Sequence, residues 1–280
     1  MRYIIGLLFI IFICGTASAQ TLKLKPRKND MLSGSQFAES IADTSMLLIK
    51  REELIFNEVK KGNVPSFLRS LVKINDTINV IGSRHTVSYW VLPDYLAIGS
   101  DSDFFYCPTT PMLAQRIADL VKCSLPTRKI TDIIYQRAEI KLDPLPIPPT
   151  KEMITVRVFI KHNNMLMEQL SGHSKLHASG ALTAGNKKDL VMSNKIYGEK
   201  TQRVVIYGWH KADGKAIQPL YNKHVSTWAD YSHGVRLIQN KIIVDGHVTT
   251  LSKVLADEIF SPLISDEGPI LNARYPVNNY

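Results

Sequence analysis

Apolar positions recur at two different spacings along this chain, and the changes between them mark its elements. After a polar stretch, 20–36, that lacks sustained periodicity, Leu54, Ile55 and Val59 are spaced as on a helix. Lys60 and Lys61 follow in its last turn, and Gly62 is placed to cap it. β-Branched and aromatic residues then dominate 72–100, broken at Asn75-Asp76, Gly82-Ser83 and Pro93-Asp94, which predicts two or three antiparallel strands. Helical spacing returns twice. Thr110-Pro111 opens a helix whose apolar face carries Leu113, Ile117, Leu120 and Val121. Thr127 opens another, faced by Ile130, Ile133 and Ile134.

A proline-rich joint, 142–150, favours an extended connection and is the best boundary in the chain. Beyond it, 153–160 alternates as a strand, with Ile154, Val156, Val158 and Ile160 on one side. A short helix capped near Asn163 or Asn164 is expected next, then a small polar loop, 171–180. Strands are expected within 181–193, 203–209, 233–239 and 241–246, with Asp245-Gly246 as a turn, and a helix after Thr250. Strands grouped between helices without regular alternation predict an α+β fold, an antiparallel or mixed sheet with flanking helices. The expected organisation is a helix-rich part at 37–149 with a small β segment and a β-rich part at 150–280. A single domain over 37–280 is the alternative.

Composition changes the picture at the N-terminus. Met1-Arg2, ten apolar residues from Ile4 to Ile13, and Ala17 and Ala19 before Gln20 have the layout of a secretory signal over 1–19. That run is shorter than the roughly 20 residues that span a bilayer, and no second apolar stretch of spanning length follows. A secreted or periplasmic protein without a stable membrane span is therefore expected. Removing residues 1–19 leaves 280 − 19 = 261 residues and, with Arg2 gone, lowers the net charge from +9 to +8. Four of those charges, Lys23, Lys25, Arg27 and Lys28, lie in the segment 20–36, which reads as a flexible basic linker. Export and the lack of a basic-aromatic motif argue against nucleic acid. Cys107 and Cys123 either pair, which chain entropy values at roughly 3 kcal/mol, or remain buried thiols.

Candidate chemistry concentrates in 207–234, which holds three of the eight histidines and two of the three tryptophans. Imidazole titrates near neutrality, so gathered imidazoles point to proton transfer or metal ligation. The candidate catalytic residues are His210, His224, Asp230, Ser232 and His233. Lys188, Asp189, Trp209, Trp228, Tyr207 and Tyr231 are candidates for binding substrate. If 203–210 is a regular strand, Val205, Tyr207 and Trp209 share one face, with Ile206 and His210 on the other. On an extended 230–233, Asp230 and Ser232 point one way, Tyr231 and His233 the other. That disfavours a Ser232–His233 pair and favours two others: Asp230 orienting a histidine from elsewhere, such as His224 or His210, or His233 and Tyr231 serving as acid–base groups on the opposite face. Around Lys187, alternation sets Lys187 with Asp189 and Lys188 with Leu190; a charged sheet edge is the plainer explanation of these charges.

No organic cofactor is expected, for there is no P-loop, dinucleotide glycine pattern, GxSxG or CxxC. A metal ion held by Asp230, His233, His210 and His224 is the alternative, though no spacing matches a metal motif. His173 and His177 lack the glutamate of a HExxH site, and His85, His162 and His247 read as surface or satisfied residues.

The phrases at 125–135, 204–210, 217–221 and 229–237 together resemble a group of uncharacterised secreted bacterial proteins, over most of the chain after residue 19. The resemblance implies a bacterial exported unit and carries no catalytic assignment. The expected function is a secreted or periplasmic hydrolase of a cell-envelope or extracellular polymer, peptide or glycan, with His224 or His233 moving the proton and Asp230 orienting it. His210, Lys188 and Asp189 would contribute to binding or charge stabilisation. On this reading His233→Ala and Asp230→Ala abolish turnover and move the thermal transition by only a few degrees. The rivals are a non-catalytic glycan- or cell-wall-binding protein with an aromatic platform of Trp209, Trp228, Tyr207 and Tyr221, and a toxin-like effector.

Overall fold

The computed structural model describes residues 20–277; the expected signal segment lies outside the described residues. The chain is α+β. Residues 20–33 run irregularly along the body, where Leu22 is buried and its N–H donates to the Arg69 carbonyl. Helices α1 (Gly34–Ser40) and α2 (Leu48–Lys61) follow, the latter ended by Gly62 at φ +92° as the sequence indicates. β1 (Val72–Val80) and β2 (Ser83–Val91), nine residues each, form a hairpin through Ile81-Gly82, both at positive φ. β1 passes through Asn75-Asp76 without a break.

β3 (Ala97–Gly99) and β4 (Phe104–Tyr106) make a small ribbon. α3 (Pro111–Leu120) begins at the Thr110 cap, and β5 (Cys123–Ser124) leads to α4 (Arg128–Arg137), capped by Thr127. Cys107 and Cys123 are both buried free thiols, and burial pushes Cys123 up to about 12. β6 (Ile140–Lys141) precedes the proline joint.

The expected strand at 153–160 is instead a short 3-10 turn at Lys151–Ile154 and the start of α5 (Val156–Ser171). Val156, Phe159, Asn163, Leu166 and Leu170 are buried along α5, a three-and-four spacing that outlasts the brief alternation and decides for helix. Asn163 lies inside this helix rather than capping one. Its side chain accepts from the Tyr106 N–H at 3.0 Å and donates to the Phe104 carbonyl at 3.2 Å. The loop expected at 171–180 contains one more helix, α6 (Ser174–Ala178), which turns His177 inward.

β7 (Thr183–Ala184) pairs with β6 in parallel, and β8 (Lys188–Leu190), β9 (Ile206–His210) and β10 (Ala216–Tyr221) come next. The strand expected at 233–239 is split into β11 (His233–Gly234) and β12 (Ile238–Gln239). Between them, the Val235 and Leu237 carbonyls accept from Leu96 and Leu92 N–H. β13 (Lys241–Val244), the Asp245-Gly246 turn, β14 (His247–Thr250) and α7 (Leu251–Ala256) complete the described elements.

Two sheets organise these parts. One runs β14-β13-β2-β12-β5 with β1 added on β2, so strands from both sides of the proline joint share it. Ile130, Ile134, Leu251 and Leu255 from α4 and α7 pack in one core with its Val87, Tyr89 and Val91. The second sheet runs β10-β9-β8-β11, with β11 parallel to β8 and the other pairs antiparallel. No helix among the described residues is long and apolar enough to cross a membrane.

Candidate functional site

The second sheet carries the candidate chemistry, and a backbone irregularity in β9 decides which side chains meet. Gly208 and Trp209 both have positive φ, +107° and +60°. Glycine adopts such values freely; tryptophan rarely does, and the cost is of order 1 kcal/mol or more. Two successive left-handed residues cancel the alternation of a regular strand. Tyr207 and His210, expected on opposite faces, therefore reach the same carboxylate, while Trp209 turns away from Tyr207 toward Tyr231 and His162.

That carboxylate is Asp132 on α4. Its Oδ1 accepts from the Tyr207 hydroxyl at 2.8 Å and lies 2.8 Å from His210 Nε2. The apolar side of α4 fills the core, and its other side presents Arg128, Asp132, Tyr135 and Gln136 at positions i, i+4, i+7 and i+8. The Tyr135 ring stacks on the His210 imidazole, centroids 4.5 Å apart and planes 15° apart, and its hydroxyl donates to the Lys211 carbonyl at 2.5 Å. These groups line an open cleft of about 900 Å³, with Lys141, Asp213 and Lys215 also on its wall. Burial, then Asp132, pushes the Tyr207 phenol up, so it remains a neutral donor.

Beneath the cleft, Asp189 of β8 faces the same way as its register partner Tyr207. Its Oδ2 accepts from the Tyr95 hydroxyl at 2.7 Å, and Oδ1 is buried without a hydrogen-bond partner. Burial lifts this carboxyl to about 6 against the pull of Arg236. Arg236 is itself fully buried; its guanidinium lies 4.2 Å from the Tyr95 ring centroid and donates to the Leu92 and Thr183 carbonyls.

The other face gathers the remaining candidates around Asp230. Its Oδ1 accepts from the Ser232 N–H at 2.9 Å and the Ser232 hydroxyl at 2.5 Å, its Oδ2 from Trp228 Nε1 at 3.1 Å. Burial would raise this carboxyl, but His233, the Ser232 hydroxyl and Lys188 outweigh it and hold it well below the usual range. His233 Nε2 approaches Asp230 to 3.7 Å, too long for a hydrogen bond. Burial lowers that imidazole to about 4, so near neutrality the contact is polar and not an ion pair. Lys188 lays its ammonium 4.8 Å from the Trp209 ring centroid, and His224 stacks on Trp228 at 4.6 Å.

Deeper still, Lys187 donates to the Tyr231 carbonyl at 2.6 Å and meets His162 Nδ1 at 3.1 Å. Burial lowers Lys187 to about 7; burial and then Lys187 lower His162 to about 2. Near this group, Asp94 is buried with its Oδ2 held by the Tyr106 hydroxyl and by His177 Nε2, the latter at 2.8 Å.

Eight of the eleven sequence-derived residues thus assemble on the Asp230 face: Lys188, Trp209, His224, Trp228, Asp230, Tyr231, Ser232 and His233. Tyr207, Asp189 and His210 lie across the sheet, so the one hollow shared by His210, His224, Asp230 and His233 is not formed. The metal set that would join these residues is divided in the same way, and no group of three or more metal-ligating side chains occurs among the described residues. Nor is the aromatic platform assembled, because Trp209 is only 4% exposed and carries Lys188 on one face. Sequence reasoning passed over Arg128, Asp132 and Tyr135. The three share the polar side of a helix whose apolar side was read, and their common spacing was the available signal. Comparison of the chain with protein-family models, with curated proteins and with solved structures finds no match.

Proposed function

We propose that the protein is a secreted or periplasmic hydrolase of a cell-envelope or extracellular polymer, in which His210 moves the proton and Asp132 orients it. The observation that carries this reading is the 2.8 Å contact between His210 and a half-buried carboxylate on the wall of a cleft of about 900 Å³. A proton on Nε2, directed at Asp132, leaves Nδ1 as the basic nitrogen. Such a base takes a proton from attacking water, and the adjacent carboxylate offsets the imidazolium charge. Tyr207 holds the second approach to Asp132, and Tyr135 fixes the plane of the ring. The proton-transfer role moves from His224 or His233 to His210, itself only 3% exposed, because its partner Asp132 reaches the cleft with 35% of its side chain exposed, whereas Asp230 and His233 are 1% and 0% exposed. The open width of the cleft suits a chain segment better than an enclosed small molecule.

The test is release of soluble fragments from insoluble bacterial cell-wall sacculi and from dye-linked polysaccharides. His210→Asn and Asp132→Asn are expected to lower release about 100-fold or more, with the thermal transition within a few degrees of wild type. Wild-type rates in both variants, or no cleavage of any of these polymers by the wild-type protein, overturn the reading.

A further inference from the structure

Gly208 has a second consequence beyond reversing the faces of β9. A Cβ at this position would lie 3.5 Å from His210 Cε1 and 3.6 Å from Asp189 Oδ2. Imidazole and buried carboxylate therefore border the same small space beside the Gly208 backbone. The oxygen on that space is Oδ2; Oδ1 is buried without a partner, an expensive arrangement for a group 2% exposed. Oδ2 accepts from Tyr95, which in turn lies against the fully buried Arg236.

We propose that Asp189 is a positioning residue for His210, a second carboxylate that supports the imidazolium charge from the interior while Asp132 supports it from the cleft. The role rests on reading His210 as the proton-transfer group. The two carboxylates act differently. Asp132 touches the ring but its side chain is 35% exposed, so water and salt screen its field. Asp189 is farther away but enclosed, and charges interact more strongly through the low-dielectric interior. The other charged or titratable groups around His210 are Tyr135 and Arg128 on α4, Tyr207 on its own strand, and Lys141, Asp213 and Lys215 on the cleft wall. The cations among them oppose imidazolium formation; Asp213 favours it but lies 4.0 Å from Lys215, which leaves Asp132 and Asp189 as the carboxylates directed at the ring. Burial lifts Asp189 itself to about 6, so its support is withdrawn as the pH falls below that value.

The experiment is an NMR titration of the His210 ring nitrogens in the wild-type protein and in Asp189→Asn, which keeps an acceptor for Tyr95. The midpoint is expected to fall by about 1 unit in the variant, and the acid limb of the kcat/KM profile to move down with it. A midpoint that moves by less than about 0.2 units overturns the proposal. Should Asp189→Asn fail to fold, the carboxyl ¹³C signal of Asp189 in the wild-type protein decides. An inflection at the His210 midpoint supports the role, and its absence overturns it. If turnover survives loss of His210 while the midpoint still shifts, the hydrolase reading fails and the positioning role stands.

Discussion

The two faces of the β8–β9 sheet hold similar inventories, a carboxylate, an imidazole, a hydroxyl and aromatic rings, yet the setting makes them unlike. On the cleft face Asp132 is half-exposed and its partners come from α4 and β9, leaving open space beside them. Around Asp230 the same groups come mostly from one short segment, 228–233, and close on themselves. The Asp230 carboxylate is satisfied by three donors, and His233 behind it has no exposed surface. Access, rather than the identity of the residues, separates a site that can meet a substrate from a buried polar knot that fixes a turn. Sequence density favours the second group because it is contiguous, and contiguity is what a local turn also produces.

Several substitutions can break or sharpen this contrast. The largest effect is expected on turnover, where His210→Asn or Asp132→Asn should cost about two orders of magnitude or more in kcat/KM at nearly unchanged stability. Asp230→Ala should do the opposite. Removing a buried, hydrogen-bonded carboxylate costs about 3–5 kcal/mol, roughly 10 °C in Tm for a protein of this size. Burial thus alters the expectation that Asp230→Ala and His233→Ala leave the thermal transition in place. An Asp230→Ala protein that melts normally but has lost turnover would reverse the roles of the two faces.

The buried bases on the Asp230 face also set a pH signature. Lys187, His233 and His162 have folded pKa values of about 7, 4 and 2, all depressed by burial. The unfolded chain therefore binds more protons between each folded value and its ordinary one, and stability rises with pH across those windows. For Lys187 the window runs from about 7 to its ordinary value of 10.5. Chemical denaturation of Lys187→Met should show a flatter rise over that range than wild type; an unchanged slope refutes the assignment.

Smaller effects are expected at the backbone step. Gly208→Ala must place a side chain at φ +107°, costing about 1–2 kcal/mol by denaturant titration, although its Cβ would meet His210 and Asp189 at ordinary contact distances of 3.5 and 3.6 Å. Least of all, Tyr135→Phe loses only the bond to the Lys211 carbonyl, about 1 kcal/mol, and should keep turnover because the stacked ring remains.

Local signals in the chain were legible where one residue type decides the geometry. Thr110-Pro111 and Thr127 begin helices, Gly62 ends one, and Asp245-Gly246 turns a hairpin with φ of +49° and +80°. Asn75-Asp76 failed as a breaker because the long pairing of β1 with β2 overrides a local preference. Period two misled at 153–160, where only a window extending to Leu170 reveals the helical spacing. The Asp230 cluster was largely visible because its members are neighbours in the chain. The Asp132–His210 pair was not, since 78 residues separate the two and nothing in the sequence indicates that Gly208 and Trp209 bend the strand back on itself.

The parallel pairing of β11 with β8 carries one more consequence. Lys188 and His233 are register partners although 233 − 188 = 45 residues separate them, and β9 and β10 fall between. Loop-closure entropy must be met before that contact returns any energy, which places it among the slow steps of assembly. A chain released from a ribosome would accordingly acquire the hairpin of β1 and β2 early and this junction late. Lesions at the junction would then show themselves first as poor yield.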